Sequence, residues 1–95
     1  MDRTITVRLE ITGRVQGVGF RESMCAVAQA LQVTGWVRNR ADGSVEAIAQ
    51  GEEDDIERLL AWSHNGPPGA AVRFVQYGLV EGSATFTGFE RLPSV

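Results

Sequence analysis

The sequence predicts an α+β domain in which two helices cover one face of an antiparallel sheet. Apolar and polar residues alternate from Ile5 to Thr12, which is typical of a strand with one buried face. Apolar residues then recur at helical spacing in two separate segments, 20–31 and 56–63. With the extended segments between and after them, the order is strand, helix, strand, strand, helix, strand.

The first helix and the hairpin after it have clear local signals. The helix is predicted by an apolar stripe of Phe20, Met24, Val27, Ala28 and Leu31. Two extended segments, Trp36–Arg40 and Val45–Ala49, flank the turn Ala41–Ser44. The Asp-Gly pair inside that turn favours a tight hairpin, because both residues adopt turn conformations easily.

The second helix is predicted to open in the acidic run Gly51–Asp55, where negative charge favours the positive end of the helix dipole. The turn Asn65–Gly69, with its two prolines, ends this helix. Val72–Val80 and the last segment, Thr85–Leu92, are predicted to be extended, with Glu81–Ser83 between them. Together the elements predict a ferredoxin-like βαββαβ sandwich that forms one domain over residues 1–95.

Composition limits the classes of function. The chain has 95 residues, of which 43% are hydrophobic, so it can form one small folded domain. No apolar run approaches the roughly 20 residues that cross a bilayer. Polar and apolar residues alternate at the start of the sequence, whereas a signal peptide has an apolar core. Cys25 is the only cysteine, which excludes an internal disulfide. We therefore expect a cytoplasmic protein, a monomer, without a membrane partner.

The charge is unevenly distributed. The net charge of −3 disfavours general binding to nucleic acid. Residues 1–40 hold six arginines against three acids, however, whereas residues 41–95 hold three arginines against nine acids. With one histidine and one cysteine, no metal-ligand spacing is present, so we expect neither a metal nor a cofactor.

The segment Gly13–Arg21 contains three glycines between the first strand and the first helix. Glycine lets an anion approach the backbone closely, and a helix start offers unpaired N–H groups and a positive dipole end. Arg21 adds a planar, positively charged guanidinium whose paired N–H donors suit a phosphoryl group. The glycine spacing fits neither a Walker loop nor a dinucleotide fingerprint. On spacing alone, an anion site and an ordinary connection remain equally open.

Several further motifs occur in one continuous order and resemble the acylphosphatase family from about Val7 to Phe89. They are Val15–Val18 with Phe20–Arg21, Gly35–Asn39, Asp42–Glu46, Gly51, Trp62, Gly66–Pro68 with Ala70 and Val72, and Phe89. One departure is Gln32, since the family usually has a glycine where the first helix ends. That departure concerns the end of the helix and lies away from the motif residues.

The resemblance implies a metal-independent hydrolase that converts acyl phosphates to a carboxylate and inorganic phosphate. The residues implied to bind the substrate phosphate are Arg21, through its side chain, and Gln16, Gly17, Val18, Gly19 and Phe20, through loop N–H groups. Arg21 is also implied to be catalytic, and Asn39 to orient the attacking water. A phosphate oxygen of the substrate is implied to take the proton of that water, because the sequence offers no obvious general base.

Three other functions remain open at this stage. Within the same family, the chain could be an accessory domain that handles carbamoyl phosphate, although such domains precede long extensions and this chain ends soon after the last strand. A ferredoxin-like RNA-binding module would need exposed aromatic residues on central strands and a basic surface. A domain that senses anions without turning them over would be distinguished by an assay.

Overall fold

The computed structural model describes residues 3–82 and 84–95 and consists of five strands and two helices. In chain order these are β1 (Thr4–Arg14), α1 (Phe20–Ala30), β2 (Thr34–Asn39), β3 (Val45–Glu52), α2 (Glu53–Ser63), β4 (Ala71–Leu79) and β5 (Phe89–Arg91). Neither helix in these ranges is long and apolar enough to cross a membrane.

The strands form one sheet in the order β4-β1-β3-β2-β5. The pairs β1–β3, β1–β4 and β2–β3 are antiparallel, so the predicted βαββαβ sandwich is confirmed. The short β5 instead pairs in parallel with β2, which makes the sheet mixed where a wholly antiparallel one was expected. Only Phe89–Arg91 of the predicted segment Thr85–Leu92 is strand. Ser83 of the predicted Glu81–Ser83 connection lies outside the described residues.

The hydrophobic core lies between the sheet and the two helices. Alternate residues of β1 (Val7, Leu9 and Ile11) are at most 3% exposed, as the alternation predicted. The helices bury Phe20, Met24 and Ala28 of α1 and Ile56, Leu59 and Ser63 of α2. Ser63 is polar yet fully buried, because its Oγ donates to the Leu59 carbonyl at 2.8 Å within the same helix. Both helices therefore cover the face of the sheet on which the apolar residues of β1 were predicted to lie.

The second helix begins later than predicted. β3 continues to Glu52, beyond the predicted end at Ala49, and α2 begins directly at Glu53. Gly51 and Glu52 belong to the sheet because they pair with β1, where Ile5 lies opposite Gly51 and Thr4 lies opposite Glu52. Glu53, Asp54 and Asp55 still occupy the first turn, where their charge favours the helix dipole.

The face of the sheet away from the helices carries an ion-pair cluster formed by Arg8, Glu10, Arg38, Arg40 and Glu46. Glu46 is paired with Arg8 at 2.7 Å and with Arg38 at 2.8 Å, and Arg40 is paired with Glu10 at 2.8 Å. Burial is the largest single influence on Glu46 and opposes its ionisation. The hydrogen bonds and charges of Arg38 and Arg8 together outweigh it, so the pKa of Glu46 is lowered.

The end of α1 shows how Gln32 is accommodated at a position where a glycine was expected. The Val33 N–H donates to the Ala28 carbonyl at 2.8 Å, and the Gln32 N–H donates to the Gln29 carbonyl at 3.1 Å. This pattern is a Schellman helix end, which needs a left-handed residue after the C-cap. Gln32 is that residue, with φ of 60°, and it is the one described non-glycine residue with positive φ. The helix ends in the way a glycine would end it, but with a side chain in a strained conformation.

Replacing Gln32 with glycine should therefore stabilise the protein. Glycine adopts left-handed backbone without steric cost, so we expect Gln32→Gly to raise the free energy of unfolding by about 1 kcal/mol and Tm by about 4–8 °C. Thermal and denaturant unfolding measure both quantities. Gln32→Ala keeps the Cβ and is the matched control, which should change little. A glycine variant no more stable than the alanine variant would contradict the assignment of strain.

Candidate active site

The connection from β1 to α1 is built around two glycines in left-handed conformation. Gly17 and Gly19 have φ of 75° and 78°, and a Cβ added to either would meet no atom within 4 Å. Glycine is thus favoured by the backbone conformation, and both positions border open space. Gly19 is the N-cap of α1 and no side chain caps the helix there. The first-turn N–H groups, which have no partner within a helix, are therefore left for another acceptor.

Two buried side chains hold the ends of this connection. Val15 is 1% exposed and Phe20 is 2% exposed. The Phe20 ring packs on Trp62 of α2 with ring centroids 5.2 Å apart. The turn after α2 also approaches this ring, since a Cβ on Gly66 would lie 2.6 Å from Phe20 Cε2. The start of α1 is thus fixed against both α2 and the turn that follows it.

One cavity of about 230 Å³ opens beside the connection. Its lining consists of Val15, Gly17, Gly19, Phe20, Arg21, Glu22, Asn39 and Arg91. The fold thus brings together Gly17, Gly19, Phe20, Arg21 and Asn39, all of which the sequence singled out. Gln16 and Val18, the other predicted phosphate-binding residues, are absent from this lining. Their predicted contribution is a backbone N–H, and their side chains lie elsewhere.

Asn39 is the last residue of β2, lines the cavity and has a side-chain oxygen without a hydrogen-bond donor among the described residues. This oxygen, Oδ1, is buried. A buried polar atom without a partner costs about 1–3 kcal/mol, so such atoms call for an explanation. The Asn39 backbone carbonyl, in contrast, accepts from the Val95 N–H at 3.0 Å. The strand end is therefore held by the main chain, whereas the buried side-chain oxygen has no donor among the described residues.

The Gln16 side chain joins the glycine connection to the hairpin that follows Asn39. Its Nε2 donates to the Arg40 carbonyl at 2.8 Å and to the Ser44 carbonyl at 2.9 Å. The hairpin itself is fixed by Asp42, whose Oδ1 accepts from Ser44 Oγ at 2.6 Å and from the Ser44 N–H at 2.9 Å. These hydrogen bonds, led by that of the hydroxyl, lower the pKa of Asp42. Nothing in the local sequence indicated the bridge by Gln16.

Arg91 and Glu22 complete the charged lining and were missed by the sequence analysis. Arg91 Nη1 lies 2.6 Å from Glu22 Oε1, and both side chains are largely exposed. Arg91 reaches the cavity because β5 pairs with β2, where Arg91 lies opposite Val37. A strand of only three residues has too weak a pattern to predict this pairing.

The remaining reactive groups do not form a second site within residues 3–82 and 84–95. No cluster of three or more histidine, cysteine or acidic side chains could hold a metal in this part of the chain. Cys25 is a half-buried free cysteine. Burial, assisted by the charge of Glu22, raises the pKa of its thiol, which disfavours the nucleophilic thiolate.

Fold and cavity together define a ferredoxin-like α+β domain with a candidate anion site at a strand–helix junction. The acylphosphatase family model matches residues 7–91. An acylphosphatase of Thiobacillus denitrificans is 52% identical over 86 residues, which cover 90% of this chain and 94% of that relative. The chain therefore belongs to the acylphosphatase family, whose members are hydrolases of acyl phosphates.

Solved structures agree with this assignment. An acylphosphatase from Coxiella burnetii has a TM-score of 0.90 and 39% identity, covering 94% of this chain and 93% of that one. Full-length HypF in its phosphate- and nucleotide-bound form has a TM-score of 0.89 and 28% identity. That match covers 99% of this chain but only 12% of HypF. The same fold thus occurs as nearly the whole of one protein and as a small part of another.

The bridge by Gln16 generates a test of the site's geometry. We expect Gln16→Glu to reduce kcat for acetyl phosphate about 10- to 100-fold, because a carboxylate cannot donate to the two hairpin carbonyls and a displacement of 1 Å has effects of this size. Phosphate affinity should fall much less, since the backbone N–H groups remain. Gln29→Glu, an exposed substitution on α1, controls for the added charge. Equal kcat in the two variants would contradict the proposed bridge.

Proposed function

We propose that this protein performs the hydrolysis of its family with residues 16–21 holding the phosphoryl group and Asn39 orienting the attacking water. The observation that carries the proposal is the single cavity in which Gly17, Gly19, Arg21 and Asn39 meet. Arg21 supplies a planar cation with several donors, and the start of α1 supplies backbone N–H groups and a favourable dipole. Both act on the phosphoryl oxygens, where negative charge resides in phosphoryl transfer.

The unpaired side-chain oxygen of Asn39 supports the second half of the proposal. A water molecule that donates one hydrogen to Oδ1 is held in place with a lone pair free to attack phosphorus. The new bond joins the water oxygen to phosphorus, and the bond from phosphorus to the acyl oxygen breaks. Its electron pair leaves with the carboxylate, so a dianionic acyl phosphate and water give a carboxylate and dihydrogen phosphate.

A protein base is not needed for this step. Among the described residues Glu22 is the one carboxylate that lines the cavity, and it is already paired with Arg91 at 2.6 Å. The carboxylate leaving group is a weak base, so bond cleavage needs little assistance from an acid. We therefore assign the water proton to a phosphoryl oxygen of the substrate.

We further propose that residues 1–95 act as one monomeric domain in the cytoplasm, with acyl phosphate as substrate and inorganic phosphate as product. The single, unpaired Cys25 supports a reducing compartment. Size-exclusion chromatography with light scattering tests the monomeric state, and a dimeric mass would contradict it.

The first test concerns metal. We expect hydrolysis of acetyl phosphate to be unchanged in the presence of a chelator, because Arg21 and backbone donors supply the positive charge. Phosphate monoesters, which lack the good carboxylate leaving group, should react far more slowly. Activity lost to the chelator and restored by a divalent cation would contradict the mechanism.

The second test separates the roles of Arg21 and Asn39. Asn39→Ala should reduce kcat about 10²- to 10³-fold, since it removes the acceptor for the water but none of the phosphate donors. Inorganic phosphate should still stabilise this variant, by about 1.4 kcal/mol at ten times its Kd. Arg21→Gln should weaken both kcat and phosphate binding. Activity assays and thermal melts with added phosphate, at constant ionic strength, measure the two effects.

Arg21→Lys is the matched control, because it keeps the charge but loses the planar fork. If two-point contact matters, the lysine variant should resemble Arg21→Gln. Near-normal activity with lysine would mean that Arg21 acts as a point charge, and an active Asn39→Ala would refute the role given to Asn39. A cooperative melt for each variant establishes that it is folded.

A further inference from the structure

The ion pair between Arg91 and Glu22 lies at the candidate site, although neither residue has a role in the proposed reaction. Phe89 of β5 is 5% exposed and packs in the core beneath the helices. Residues two apart on a strand share a face, so Arg91 is directed to the same side as Phe89, towards the start of α1. There it meets Glu22, and the two side chains line the cavity beside Arg21.

Stability does not explain this pair. The Arg91 side chain is 49% exposed and that of Glu22 is 70% exposed. Exposed pairs contribute little to folding, because water screens them and ordering two long side chains costs entropy. The contact with Glu22 uses Nη1, whereas a guanidinium carries five N–H donors in all. Donors therefore remain for a ligand in the cavity.

The large apolar side chains of the lining offer little exposed surface to an acyl group. Val15 and Phe20 are its large apolar side chains, and both are almost fully buried. With the phosphoryl group on residues 16–21, the exposed charged side chains left in the lining for an acyl chain to contact are those of Arg91 and Glu22. A guanidinium in that position can bind a carboxylate or phosphate at the far end of the chain.

We propose that Arg91 is a specificity-determining residue that binds a second anionic group on the acyl chain of the substrate. This inference rests on the proposed function, since it assumes that the phosphoryl group occupies the glycine connection. It predicts that acyl phosphates with an anionic acyl chain are favoured over uncharged chains of equal length, and that Arg91 is the cause.

The test compares succinyl phosphate with butanoyl phosphate, whose four-carbon acyl chains differ in a terminal carboxylate against a methyl group. The measured ratio is kcat/KM for succinyl phosphate divided by kcat/KM for butanoyl phosphate. We expect Arg91→Gln to lower this ratio about three- to tenfold, the range of an exposed charge-assisted contact. A phosphonate in place of the succinyl carboxylate tests the other anionic chemistry. A loss for either anionic probe supports the proposal. In the wild-type protein, the ratio should also fall when the ionic strength is raised.

Two further variants separate binding by Arg91 from neutralisation of Glu22. Glu22→Gln should raise the ratio, because it removes a carboxylate that competes for Arg91. The double variant Arg91→Gln with Glu22→Gln should keep the low ratio of Arg91→Gln. A double variant with the wild-type ratio would overturn the proposal, since Arg91 would then only neutralise Glu22. Arg73→Gln on β4 removes the same charge away from the cavity and should leave the ratio unchanged; an equal loss there would also overturn the proposal.

The outcomes distinguish the two levels of inference. If the folded wild-type protein hydrolyses neither substrate, the proposed function fails. If it hydrolyses both, but Arg91→Gln has the same ratio as the wild type for every anionic probe, the role of Arg91 fails and the proposed function stands.

Discussion

Burial of the side chains at both ends of the glycine connection is the constraint on which the candidate site depends. Val15 and Phe20 are fixed in the core, so the chain has only residues 16–19 in which to turn from strand to helix. Burying each such side chain contributes about 1.5–3 kcal/mol, which resists any shift of the ends. The sharp turn requires left-handed backbone at Gly17 and Gly19. Because the anchors stay inside, the backbone between them remains at the surface, where an anion can reach it.

The second half of the site comes from a distant part of the sequence and is aligned by backbone contacts. Asn39 pairs with Val45 in the hairpin, and its carbonyl accepts from Val95. Gln16 then fixes this hairpin to the glycine connection through two hairpin carbonyls. The position of Asn39 relative to the glycine connection is therefore set by main-chain hydrogen bonds of Asn39 and by the two bonds that the Gln16 side chain donates to hairpin carbonyls. Such bonds have narrow length and angle preferences, so they suit a reaction that depends on alignment.

The sequence predicted the parts of this arrangement that have local signals. Apolar periodicity identified both helices and the buried face of β1, and the glycines with Arg21 identified the strand–helix junction. Asn39 was found through its motif, because an asparagine at a strand end has no distinctive pattern. Arg91 was missed because its position depends on a parallel pairing of three residues with β2. The bridge by Gln16 was missed for a related reason, since its acceptors are carbonyls more than twenty residues away.

The positive charge that reaches the cavity is smaller than the sequence count implied. Three of the six arginines in residues 1–40 lie in the ion-pair cluster on the opposite face of the sheet, where Glu10 and Glu46 offset two of their three charges. Among the described residues, the charged side chains that line the cavity are Arg21, Arg91 and Glu22, which together leave a single positive charge. The proposed binding of a phosphoryl dianion therefore relies also on backbone N–H groups and on the dipole of α1. These donors do not titrate, and they exist only while the turn at Gly17 and Gly19 is held by its buried anchors.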